Sequence, residues 1–208
     1  MTLKRFSTTL RAGALAALFV VGTSAAAFAA PIVNFTTTGA FDSTGTSSVQ
    51  FFGGGGNVIF SFDGISAGSV DSPSFTSFGE MTLTAGDPGF SGFASDGFTL
   101  SIFQTDPTVG SGILVGTVAG TLASNNQSTF RLLFSTPSVD IGGVTYTLQQ
   151  PPLGYNLVPP TTNNGVTSIQ GEIVAPAVVP EPATMMLLGT GLLVAFRARR
   201  RVGMTNSD

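Results

Sequence analysis

Short apolar alternations recur along this chain, each closed by a turn signal, and together they restrict it to paired strands. Phe98, Leu100 and Ile102 fall on one side of an extended backbone, with Thr99 and Ser101 on the other. Val58, Phe60 and Phe62 repeat the pattern. So do Phe130, Leu132 and Phe134 around Arg131, and Val144, Tyr146 and Leu148 against Thr145 and Thr147. Met81 and Leu83 sit between threonines, and Ile113 to Leu122 is longer, its Gly116 and Gly120 predicting a twisted or bulged strand. Asp63-Gly64, Asp87-Pro88-Gly89, Asp96-Gly97, Asp106-Pro107 and Gly142-Gly143 read as turns between the runs. No stretch of the core has a helical period. The expectation is an all-β fold, an antiparallel β-sandwich or jelly-roll-like core, its sheets apolar inside and rich in Thr and Ser outside. Gln50 to Asn57, which contains Gly53 to Gly56, and the proline-rich Gln149 to Gly165 are expected loops.

Charge is distributed unevenly. Between Ala30 and Val179 the acids are Asp42, Asp63, Asp71, Glu80, Asp87, Asp96, Asp106, Asp140 and Glu172, and the one base is Arg131, a formal charge of −8. The whole-chain value of −3 hides this, because the other seven cations lie at the two ends. Such a surface excludes nucleic acid, whose phosphates need Lys and Arg. The 18 phenylalanines supply enough apolar bulk for a folded core, and the absence of cysteine rules out a disulfide framework but not an extracellular address.

Chemistry in the core is scarce. His, Cys and Trp are absent, and Lys is absent from 30–179, which removes Ser-His-Asp and Cys-His sites, histidine-metal sites and Schiff-base lysines. Most of the aspartates sit in Asp-Gly or Asp-Pro pairs, where the carboxylate serves its own backbone. Glu80 and Glu172 are expected on the wet face of strands. No catalytic residue is assigned and the core is expected to be no enzyme; the alternative is a two-carboxylate glycoside hydrolase. No Asp-x-Asp-x-Asp-Gly loop is present, so no cofactor is expected, with structural calcium at the turn aspartates as the alternative. A sugar platform would use exposed Tyr or Trp; of the two tyrosines, Tyr155, in the proline-rich loop, is the better exposed candidate, and Tyr146 is expected in the core. Gly53 to Gly56 is followed by no Gly-Lys-Ser/Thr and is no phosphate loop.

The two ends read as handling signals. Lys4, Arg5 and Arg11 precede or open the apolar run Ala12 to Val21, and Ala27-Phe28-Ala29 has the small-x-small pattern that signal peptidase cuts, here after Ala29. At the other end stand Val179-Pro180-Glu181-Pro182, an uncharged stretch Ala183 to Phe196, and the basic cluster Arg197, Arg199, Arg200 and Arg201. The prolines hold the first segment extended. Fourteen helical residues span roughly 21 Å against a bilayer core of about 30 Å, so the apolar segment is a short anchor with its arginines held in the cytoplasm.

This tail resembles the PEP-CTERM sorting signal of Gram-negative bacteria. The likeness rests on Val179-Pro180-Glu181-Pro182-Ala183-Thr184, on Leu187-Leu188-Gly189-Thr190-Gly191-Leu192-Leu193, and on the arginine cluster, in that order. It departs from the family in the polar residues Val202 to Asp208 after the arginines. The resemblance implies a substrate of an exosortase, a membrane-embedded cysteine transpeptidase, in exopolysaccharide-producing, biofilm-forming bacteria. The chain is thus expected to divide into a signal peptide (1–29), a β-sandwich (30–174), a linker (175–179), a sorting signal with a short hydrophobic helix (180–201) and a polar tail (202–208). The expected whole is an exported surface or matrix protein. It is anchored transiently in the inner membrane, has signal peptidase and exosortase as partners, and associates with exopolysaccharide; the alternative is a carbohydrate-binding module.

Overall fold

The computed structural model describes residues 30–54, 56–85, 92–124, 127–176 and 189–192. The signal peptide with its cleavage residues Ala27 and Ala29, and the expected Asp87-Pro88-Gly89 turn, lie outside the described residues.

Residues 30–177 form one compact unit of two antiparallel sheets. The first sheet runs β12 (Tyr155–Asn156), β9 (Arg131–Phe134), β7 (Gly110–Ser124), β6 (Gly92–Asp106), β1 (Ile32–Phe41) and β4 (Gly68–Asp71), with β8 (Gln127–Ser128) beside β7. The second runs β10 (Ser138–Ile141), β11 (Val144–Leu148), β13 (Val166–Val174), β5 (Ser74–Ala85), β3 (Gly56–Gly64) and β2 (Ser48–Gly53). This is the β-sandwich that the alternations predict. Phe98, Leu100 and Ile102 from β6 meet Phe60, Phe62 and Met81 in a shared core, and the inward-facing apolar residue at every alternate position of the five short runs is buried.

Aromatic rings join the sheets. Phe98 has its centroid 5.1 Å from Phe41, 5.3 Å from Phe62 and 6.2 Å from Phe134, so one side chain of β6 touches both layers. Phe60 stands edge-on to Phe130 at 4.8 Å. Phe78 lies at a bulge in β5, where the register with β13 shifts between Ile169 and Gln170, and it packs between Phe35 and Tyr146. Each fully buried ring of this size contributes about 1.5–3 kcal/mol of transfer free energy.

Buried polar groups make further links between the layers. The Tyr146 hydroxyl of β11 donates to Gln104 Oε1 of β6 at 2.7 Å, and Gln104 Nε2 donates to the Thr108 carbonyl at 2.8 Å. The buried Thr37 hydroxyl of β1 donates to the Phe78 carbonyl (2.7 Å) and accepts from the Ile65 N–H (2.8 Å). Gly64 makes that approach feasible, since a Cβ there would fall on the Thr37 carbonyl oxygen.

Four expectations change. Asp96-Gly97 is not a turn: β6 runs straight through it, because Asp96 accepts from the Ser43 hydroxyl (2.5 Å) instead of its own backbone and Gly97 O accepts from Asp42 N–H (3.0 Å). Asp63-Gly64 still pairs with Glu80 and Gly79 and closes β3 only at its end. The glycine loop is shorter than Gln50 to Asn57, because β2 and β3 stay in register to Gly53 opposite Gly56. The proline-rich segment also contributes the two residues of β12 to a sheet. Gly142-Gly143 is the turn expected: both have positive φ (60° and 87°), and Asp140 accepts from the Gly143 N–H (3.1 Å).

Of the expected C-terminal helix, residues 189–192 are described and are helical and exposed. Among the described residues no helix is long and apolar enough to cross a membrane.

Candidate functional site

Several described carboxylates of the sandwich serve separate partners, while Asp42 lies against Gly97 beside Asp96. Asp106 accepts from Asn34 Nδ2 (2.8 Å), Asp140 serves its turn, Asp71 ends β4, and Glu172 lies half-buried opposite Phe75 and Thr147. Asp63 and Glu80 are exposed, directly opposed partners on the outer face of β3 and β5. Directly opposed strand residues have Cβ atoms about 5 Å apart. Asp63 also borders a groove of about 360 Å3 where β1 meets the end of β3, lined by Thr36, Thr38, Ser47 and Ser66. Among the described residues no three His, Cys, Asp or Glu side chains cluster as a metal would require.

The expected tyrosine platform fails. Tyr155 is not an exposed loop residue; it is 7% exposed, pairs with Leu132 through β12 and packs edge-on to Phe134. Its hydroxyl donates across the sandwich to the Gln170 carbonyl at 2.7 Å. Burial pushes its phenol up to about 12. Two residues of strand are enough to turn the ring inward, and the flanking prolines, which read as a loop, conceal them. Tyr146 is core, as expected, and burial raises its phenol further.

The start of the folded unit and its C-terminal exit meet at Ser72. Ser72 is buried; its N–H donates to the Pro31 carbonyl (3.0 Å), and its Oγ accepts from the Ala175 N–H (2.5 Å). The expected 175–179 linker is therefore docked at its first residue, and Pro176 is exposed. A serine between Asp71 and Pro73 carries no sequence signal for this role. Val179, Pro180, Glu181, Pro182 and Arg197, Arg199, Arg200 and Arg201 lie outside the described residues.

Downstream of that exit, the family model for the PEP-CTERM protein-sorting motif matches residues 178–201. The chain carries a PEP-CTERM sorting signal. The matched span takes in the proline-glutamate segment, the apolar stretch and the four arginines, all three parts on which the resemblance rests. The PEP-CTERM tail marks an exported protein, held transiently at the membrane and processed by an exosortase. Neither the curated proteins nor the solved structures contain a match to the chain. The sandwich therefore has to be read from its own residues.

Proposed function

We propose that the sandwich is a non-enzymatic surface or matrix module, delivered to the cell envelope or an exopolysaccharide layer by cleavage of its PEP-CTERM tail. The observation that carries this reading is the order of parts: a folded unit closed at Ala175 by Ser72, followed directly by the sorting motif at 178–201. His, Cys and Lys, which many enzymes use as nucleophile or general base, are missing from 30–179, which supports a binding or structural role. Changing Pro180, Glu181 and Pro182 to alanine and measuring the mature mass tests it, in cells with and without the exosortase. The expected result is a shortened chain only where both motif and enzyme are intact; identical masses throughout would remove the reading.

A carbohydrate-binding role draws on the groove beside Asp63, whose hydroxyls and carboxylate offer sugar-type hydrogen bonds. It no longer draws on Tyr155. Glycan arrays probed with the processed protein, with and without calcium, decide it. Substitution Asp63→Asn should lower any glycan signal, and an unchanged signal would take the groove out of consideration. A hydrolase reading draws on Asp63 with Glu80, and the same variant tests it against release of reducing sugar.

A further inference from the structure

We propose that β2 is the edge through which two copies of this chain pair, joining their second sheets into one continuous sheet across a two-fold axis. Among the described residues β12 and β4 end the first sheet, β10 and β2 the second, and the two-residue β8 leaves a short edge beside β7. Exposed edges template pairing with another chain unless they are short or charged. β12 has two residues; β4 ends in Asp71 and β10 contains Asp140. β2 is six residues, Ser-Val-Gln-Phe-Phe-Gly, with no charge and no proline. In a domain of formal charge −8, pairing copies through β4 or β10 brings carboxylates from both into the seam. The β2 edge alone of the longer ones avoids this.

Backbone geometry selects the register. The Phe62 N–H donates to the Ser47 carbonyl, so in this antiparallel ladder Val49, Phe51 and Gly53 bond to β3. Ser48, Gln50 and Phe52 then aim their N–H and C=O groups away from the sheet. The Ser48 carbonyl is already taken by the hydroxyls of Thr44 (3.0 Å) and Thr46 (2.8 Å). Gln50 and Phe52 remain. A two-fold seam that uses those groups places Gln50 opposite Phe52 of the second copy and Phe51 opposite its own equivalent. It covers Phe52, which is 79% exposed, and extends the inner row of Val49 and Phe51 across the seam. Anchoring by the tail confines copies to one surface, which raises their effective concentration.

The chain has no cysteine, so a single introduced thiol reports a single contact. In this register the Phe51 Cα atoms of the two copies are about 4.5 Å apart, within the roughly 4.4–6.8 Å span of a disulfide. The full chain carrying Phe51→Cys is produced, oxidised after export and run on a non-reducing gel. A reducible species of twice the monomer mass is expected, at least about tenfold above that from Ser69→Cys on β4, a difference of about 1.4 kcal/mol. Phe52→Pro deletes one outward N–H while leaving the β3 ladder intact, and should abolish the species. Because Phe51 packs on Phe60 (5.8 Å), a second design uses only exposed positions: cells making Gln50→Cys and Phe52→Cys chains together should yield the cross-link, and each alone should not. Dimer at the Ser69→Cys level in both designs, or dimer indifferent to Phe52→Pro, overturns the proposal.

Discussion

The sandwich and the tail encode their roles in opposite ways. In the sandwich, information is spread over many residues that do similar work: five alternating runs, a ring network and three buried polar links between the layers. In the tail it is concentrated in a few residues of fixed order, and a family model finds them within 178–201 although nothing matches the sandwich. Distributed packing tolerates exchange of one apolar residue for another, so a sequence can drift far while its fold persists. A motif read by an enzyme tolerates almost nothing. The contrast predicts that substitutions in the tail act on processing without touching stability, and substitutions in the sandwich act on stability without touching processing.

The sharpest break of that contrast is the alanine triple variant of Pro180, Glu181 and Pro182. Processing should be lost altogether, while the urea midpoint of the exported protein should correspond to a change within about 0.5 kcal/mol. A large loss of stability would mean that the tail is part of the fold. In the sandwich the largest single effect belongs to Phe98, which touches Phe41, Phe62 and Phe134 from both layers. Phe98→Ala should cost about 3–5 kcal/mol by equilibrium unfolding. What remains folded should still be cut by the exosortase, as seen by mass.

The same contrast explains what was legible. Alternation fixes which face of a strand is apolar, so the buried set of β3, β6, β9 and β11 was readable, and with it the sandwich class. Turn chemistry was less reliable, because an aspartate near glycine is neutral information until its carboxylate has a partner. At Asp140 the partner is the local Gly143 N–H; at Asp96 it is Ser43, far along the chain, and the strand continues. The links that close the molecule were not legible at all. Ser72, Thr37 and Gln104 are polar residues without a pattern, and their value arises only when Ala175, Phe78 and Tyr146 arrive from distant strands.

Of those links, the Tyr146 pair should matter most. Tyr146→Phe keeps the ring and removes the donor, leaving buried Gln104 Oε1 without its partner; the expected loss is about 1–3 kcal/mol in urea unfolding. Restoring an apolar match with Tyr146→Phe and Gln104→Leu together should recover part of it, since neither side then carries an orphaned group. A double variant whose loss equals the sum of its singles would show that Gln104 acts through Thr108 instead.

Tyr155 carries the smallest and most diagnostic effect. It sits on the two-residue edge strand β12, slightly exposed, so water can replace its bond to the Gln170 carbonyl, and Tyr155→Phe should cost only about 0.5–1.5 kcal/mol near neutral pH. Its ionisation separates burial from bonding. The phenol titrates near 10 when unfolded and is raised to about 12 in the fold, so over that interval the folded state holds the proton that the unfolded state has lost. Stability contributed by Tyr155 is thus fully present below about pH 10 and falls as pH rises toward 12. Urea midpoints measured at about pH 8, 9, 10 and 11 should be level at first and then drop. The drop should be shallower in Tyr155→Phe, with the remainder belonging to Tyr146, whose phenol burial raises still more. Equal drops in wild type and Tyr155→Phe would return Tyr155 to the solvent-facing loop that the flanking prolines imply.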